Sequence, residues 1–301
     1  MWSDRRGRSV ELQAAGQALR QGRCTVAAIE SMDDEDCTAF LQWALPRRNL
    51  RWPGFRKVRA QVCKRLKRRM RELELAGFAA YRARLEADPA EWRVFDECCH
   101  ITISRFFRDK GVFEVLRERV LPAIATRAQR EQRGARAWSA GCASGEEAYT
   151  LKILWDLEVA PSFAGVPLAI VATDVDAGML ARARKGCFES TSLRELPPHL
   201  VGQAFDRIGP LFCIQPRHRQ GIDFLHQDLQ LAAPGSRFDL ILCRYVAFTY
   251  FALPLQHEVL RRLVERLRPE SYLAIGTHEQ LPIGGLPLLT GGPHIFQRPA
   301  L

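Results

Sequence analysis

A chain of 301 residues has room for a sizeable core and for one or two domains. Hydrophobic residues make up 47% and charged residues 26%, which excludes a fibrous or wholly disordered chain. The formal net charge of +10 points to an acidic partner. No segment reaches the roughly 18 apolar residues of a membrane span, so membrane insertion is not expected. The first residues are polar and basic with no apolar run behind them, as in a cytoplasmic protein. The nine cysteines are odd in number and lack a Cys-x-x-Cys pair, a pattern of reduced thiols rather than disulfides or structural zinc. Cys98-Cys99-His100 lies in an apolar stretch and is read as packing, with no metal site.

Residues 1–36 show no clear periodicity and end in the acidic run Asp33–Asp36, so a mobile arm is expected there. A helical domain follows over 37–121. Phe40–Leu45 starts a helix that Pro46 stops. Phe55–Leu75 has Val58, Val62, Leu66, Met70 and Leu73 on one face, and Gly77 ends it. Two further helices, Phe78–Ala87 and Ala90–Ile101, are divided by Asp88-Pro89. Between Arg56 and Arg71 stand nine Lys or Arg and no acid, more than solubility needs. Arg65, Arg68 and Arg69 are the candidate docking residues for an acidic protein. Nucleic acid fits less well, because no aromatic residues are interleaved to stack on bases.

Ser104-Arg105-Phe106-Phe107-Arg108-Asp109 comes next, where two aromatics anchor a loop that presents the guanidinium of Arg108. A helix is expected over Val112–Leu121, then a linker of alanine and charge over 122–135.

From Arg136 strands and helices alternate, which implies a doubly wound α/β domain with a parallel sheet over 136–301. Strands are expected at Ala137–Ala140, Leu168–Thr173, Ile222–His226, Phe238–Cys243 and Tyr272–Thr277. Helices are expected at Glu146–Leu157, Ala177–Lys185 and Pro254–Leu267. Residues 186–221 break the rhythm and read as an inserted subdomain with short β pieces. Ile283–Leu301 reads as a final hairpin.

The first strand leads into Gly141-Cys142-Ala143-Ser144-Gly145, a turn of small residues at a helix opening. It lacks the Gly-x-Gly-x-x-Gly of dinucleotide sites and the Lys-Ser/Thr of a phosphate loop. Glu146 and Glu147 at its mouth suit a ligand with hydroxyls and a positive charge, as in S-adenosylmethionine (SAM). In open α/β sheets ligands bind beyond the carboxyl ends of strands. Asp174, Asp228-Leu229 and Arg244-Tyr245 all fall at such ends.

From about Phe40 to Thr277 the chain resembles the CheR-type chemotaxis-receptor glutamate methyltransferases. The resemblance rests on the basic helix Lys64–Met70, Phe106-Phe107-Arg108-Asp109, the run Trp138–Glu147 and Ala172-Thr173-Asp174-Val175-Asp176. Phe238–Arg244 and Leu267-Arg268-Pro269 extend it. It implies a helical N-terminal domain, a Rossmann-like SAM-binding domain and a small β insertion. It also implies that Arg108, Glu147 and Asp174 contact the cofactor.

The departures are specific. Thr102-Ile103-Ser104 stands where the family usually has Asn-x-Thr, and Asp228-Leu229 where it has Asn-Leu. Tyr245 replaces the Asn of Cys-Arg-Asn-Val, and Thr249-Tyr250-Phe251 lies one residue farther on than the family's Tyr-Phe. The expected cofactor set is thus Thr102, Ser104, Arg108, Gly141, Glu147, Asp174, Asp228, Leu229, Arg244 and Tyr245. Arg108 and Tyr250 are the expected catalytic residues. The leading expectation is SAM-dependent methylation of a protein carboxylate. The alternatives are a small-molecule or RNA acceptor, and a SAM-binding module without turnover.

Overall fold

The structure, a computed structural model, describes residues 34–282 and 288–300. The chain divides into two compact units, one ending at Ile101 and the other starting at Thr102. The arm expected over 1–36 lies outside the described residues as far as residue 33. Asp34–Asp36 form the first turn of a helix, where carboxylates suit the positive end of the helix dipole.

The first unit is built of the helices Asp34–Ala44, Arg59–Glu72, Phe78–Ala87 and Glu91–Cys99. Pro46 does not stop the chain outright, because Leu45–Arg48 continue as a tighter turn closed by Asn49 in the left-handed region. Val62, Leu66 and Met70 are buried with Phe40, Tyr81, Leu85 and Phe95. The ring of Phe40 stacks on Phe78 at 4.9 Å between centroids. Cys37 and Cys63 are joined by a disulfide, contrary to the expected reduced thiols. Their residues meet because the helices Asp34–Ala44 and Arg59–Glu72 pack together, a contact with no local sequence signal.

The second unit holds a seven-stranded sheet in the order β6-β2-β1-β7-β8-β10-β9. Its parallel strands are β1 (Ala135–Ala140), β2 (Leu168–Asp174), β6 (Ile222–His226), β7 (Phe238–Leu242) and β8 (Leu267–Ala274). The hairpin β9 (Leu289–Gly292) and β10 (Ile295–Gln297) adds antiparallel strands at one edge. A three-stranded antiparallel sheet of β3 (Cys187–Glu189), β5 (Leu211–Ile214) and β4 (Phe205–Ile208) forms the insertion. A second disulfide, Cys187–Cys213, joins directly opposed residues of β3 and β5.

The expected linker is helical from Leu121 to Arg130. Its Leu121, Ile124, Ala125 and Ala128 recur at helical spacing and are buried. Arg127 and Arg133 converge on Asp239 of β7, which is fully buried. The segment is therefore pinned to the sheet. The expected helix over Glu146–Leu157 runs as an α-helix from Glu146 to Leu154 and continues in a wider turn over Trp155–Val159. Among the described residues no helix is long and apolar enough to cross a membrane.

Candidate active site

β1 lies between β2 and β7, and the strand order reverses there. The crevice at such a switch point opens beyond the carboxyl ends of the strands. Gly141 and Gly145 have φ of +80° and +90°, a region L side chains rarely enter. A Cβ on Gly141 would lie 2.3 Å from Cγ2 of Val246, so the turn also depends on the missing side chain. The Gly141 and Cys142 N–H groups both donate to the Thr173 carbonyl, at 2.8 and 3.0 Å.

Asp174 closes the turn from the other side. Its Oδ2 accepts from the Ala143 N–H at 2.8 Å and its Oδ1 from the Asp176 N–H at 2.9 Å. The Gln227 N–H donates to the Asp174 carbonyl at 3.0 Å, which brings the segment after β6 beside the end of β2. On that segment Asp228 accepts from the Gln230 N–H at 2.8 Å, and Leu229 is buried.

A buried ionic network floors the crevice. Arg244, just beyond β7, donates to Glu147 at 3.0 Å, to Asp109 at 2.7 Å and to the Arg108 carbonyl at 2.7 Å. The Ser139 hydroxyl donates to the other oxygen of Glu147 at 2.7 Å. Burial raises the affinity of Asp109 for a proton, but the Tyr245 hydroxyl and the Arg244 guanidinium outweigh it and hold the carboxyl below the usual range. The network thus fastens the Phe106–Asp109 loop to β1 and β7.

Phe106 and Phe107 anchor that loop in different directions. Phe107 stacks on Phe113 at 5.3 Å, and Phe106 packs edge-on against Phe188 of β3 and Phe205 of β4 at 4.8 and 5.2 Å. Arg108, between Phe107 at φ +57° and Asp109 at φ +62°, donates to the Ile103 carbonyl. Its guanidinium lies over the Tyr245 ring, 4.0 Å from the centroid. Tyr250 is partly buried, and burial pushes its phenol up to about 12, with Arg108 acting against that rise. Thr102 and Ser104 are half-buried on the extended segment leading to Phe106, and Thr102 opens the second unit.

Several residues of the site were not singled out from the sequence. Glu279 is 3% exposed and accepts from the Tyr245 N–H at 2.8 Å, the Gly276 N–H at 2.8 Å and the Thr249 hydroxyl at 2.6 Å. Burial pushes its carboxyl up, against those hydrogen bonds. It clasps the loop after β7 to the loop after β8. The strand-end rule that picks out Asp174 applies equally to Glu279, which follows β8. Asp109 and Ser139 lie within Phe106–Asp109 and Trp138–Glu147, but nothing local marks Asp109 as a partner of Arg244 or Ser139 as a partner of Glu147.

The basic helix of the first unit sorts its arginines by environment. Arg69 forks onto Glu91 at 2.8 and 2.7 Å, and Tyr81 donates to the same carboxylate at 3.0 Å. Arg65 donates to the carbonyls of Cys98 and His100. Both are engaged in holding the helices together. Arg68 has its side chain 70% exposed and shares an exposed stripe with Lys64 and Arg71.

The donor and acceptor set suits SAM. The left-handed glycines leave a backbone cradle, with the Asp174 carboxylate bonded to the turn and the Glu147 carboxylate paired with Arg244 at the helix start. The two cations Arg108 and Arg244 border the same crevice.

Residues 102–286 match the family model described as CheR methyltransferase, SAM binding domain, and residues 57–96 match CheR methyltransferase, all-alpha domain. Chemotaxis protein methyltransferase 2 of Pseudomonas aeruginosa is 34% identical over 72% of this chain and 77% of its own. The chemotaxis protein methyltransferase of Escherichia coli is 32% identical over 73% of this chain and 76% of its own. An uncharacterized 104.1 kDa protein of Rhodobacter capsulatus is 33% identical over 73% of this chain, which spans only 23% of that protein. With the motif-bearing turn, the strand-end carboxylate and the arginine loop assembled at one switch point, the chain belongs to the CheR methyltransferase family and is a SAM-dependent methyltransferase.

Proposed function

We propose that the protein methylates a carboxylate on an acidic protein segment, giving a methyl ester; its relatives are named chemotaxis protein methyltransferases. One observation carries this. The carboxylates of the network and the loop clasp, Asp109, Glu147 and Glu279, are each already accepting hydrogen bonds. Beside them stand the Arg108 guanidinium and the Tyr250 phenol, whose proton affinity Arg108 lowers. An acceptor already ionised at neutral pH suits them, because it has no proton to give up.

Bound SAM supplies a methyl carbon activated by its sulfonium. The Gly141–Gly145 turn and Asp174 hold the nucleoside end, with Asp228 and Leu229 beside it. Thr102, Ser104, Glu147 and Arg244 line the remainder, and Tyr245 lies beneath Arg108. Arg108 pairs with the carboxylate of the methionine end and lends positive charge to the acceptor side. Tyr250 keeps its proton at neutral pH and donates to the acceptor oxygen, aligning it with the methyl carbon. The exposed stripe of Lys64, Arg68 and Arg71 recognises the acidic segment.

The test is the chemistry of the product. Radiolabelled SAM is incubated with the protein and host-cell extract, and the labelled product is treated with mild alkali. An ester releases volatile methanol. Label that survives alkali removes the carboxylate acceptor and moves the assignment to N- or hydroxyl-methylation.

A further inference from the structure

One residue that departs from the family pattern at this site is Tyr245, which stands where Asn is usual. Its backbone has φ of +58°, uncommon for a bulky side chain, so something in the surroundings must hold it there. The hold is visible at three points. The Tyr245 hydroxyl donates to Asp109 at 2.6 Å and lies 2.9 Å from the Thr277 hydroxyl. The Thr277 N–H donates to the same phenol oxygen at 3.1 Å. The Tyr245 N–H donates to the buried Glu279. Gly276 makes room for the ring, since a Cβ there would lie 2.7 Å from its Cε1 and Cζ.

A ring fixed so firmly presents its face at a defined place, and the Arg108 guanidinium lies 4.0 Å from its centroid. Arg108 is otherwise a long side chain on a loop, with several rotatable bonds to immobilise before it can serve a ligand. On the proposal that Arg108 contacts the cofactor, the geometry points to Tyr245 as a positioning residue that pre-orients the Arg108 guanidinium by a cation–π contact. The backbone strain at Tyr245 is retained because it delivers the ring beneath that cation. In this chain an aromatic platform thus replaces the family's amide, and it acts on binding through Arg108 rather than by touching the ligand.

The test is a double-mutant cycle read by calorimetry with SAM, which needs no acceptor. Tyr245→Leu is expected to weaken SAM binding by roughly 2- to 30-fold, the range of a cation–π contact. Tyr245→Phe keeps the ring but loses the hydroxyl's bonds to Asp109 and Thr277, so it recovers part of that loss. In an Arg108→Ala background Tyr245→Leu costs nothing further. A second series guards against a leucine variant that does not fold. Progressive fluorination of a phenylalanine at position 245 withdraws electron density without changing the shape much, and affinity falls in step. Equal losses from Tyr245→Leu with and without Arg108 overturn the inference, as does an affinity insensitive to fluorination. Arg108→Ala with wild-type SAM affinity overturns both this role and the cofactor contact of Arg108. Alkali-stable label with the coupling intact removes only the ester.

Discussion

Two neighbouring arginines on the basic helix are expected to respond oppositely to the same charge reversal. Arg69 makes a two-pronged ion pair with Glu91, and the side chains are 25% and 2% exposed. Arg69→Glu places a second carboxylate against a buried one whose remaining partner is the Tyr81 hydroxyl. Breaking a buried pair by losing one partner costs about 3–5 kcal/mol, and repulsion adds to it. Arg68, at 70% exposure, pairs with Glu72 at 3.7 Å, so Arg68→Glu forfeits a surface contact and adds an i,i+4 repulsion of about 0.5 kcal/mol or less. Urea unfolding followed by helical circular dichroism should show Arg69→Glu far less stable and Arg68→Glu close to wild type. In labelling assays at low salt, Arg68→Glu should reduce transfer to a macromolecular acceptor while SAM affinity stays unchanged. That defect should shrink as salt rises, because exposed charges are screened over about 8 Å at physiological ionic strength. Equal stability of the two variants would refute the division into a structural and a docking arginine. A salt-independent loss with Arg68→Glu would refute docking by charge.

Asp174→Ala removes the acceptor of the Ala143 and Asp176 N–H groups along with the expected ribose contact. Hydrogen bonds to a charged group are worth about 1.5–3 kcal/mol each, so calorimetry should show SAM affinity lowered at least about tenfold. Unchanged affinity in a folded variant removes the ribose assignment. Glu91 is held below the usual carboxylate range by its bonds to Arg69, against the opposing effect of burial and with help from Tyr81. Its stabilisation is complete above the ordinary carboxylate value near pH 4 and is lost as pH falls through the lowered one. Glu91→Gln should therefore flatten the acid limb of the stability profile of the helical unit. The two disulfides each join residues 26 apart, and loop closure of that length corresponds to about 3.5 kcal/mol. Treatment with a thiol reductant should lower the unfolding midpoint, and an unaltered midpoint after confirmed reduction would argue against a stabilising role.

The sequence by itself determined the α/β half of the molecule and the location of its crevice. An apolar run, a turn of small residues and a carboxylate-rich helix start are local features, and they are where expected at β1, Gly141–Gly145 and Glu146. Asp174, Arg244 and Tyr245 were legible as strand-end residues, and they stand at or just beyond the ends of β2 and β7. The helix Leu121–Arg130 is legible in principle, but its buried face is partly alanine, which gives a weak hydrophobic signal and resembles a linker. Only the tertiary structure decided what is non-local. Cys37 finds Cys63 and Cys187 finds Cys213 because helices pack and strands pair. Arg68 and Arg69 are the same residue type in the same charge run, and they part company only where Glu91 rises from another helix to meet one of them. Arg244 gathers Asp109 and Glu147 from positions far apart in the chain, and Tyr245 comes to lie under Arg108. A buried charge must find its counter-charge wherever the fold brings one, and composition and spacing carry no record of which one that is.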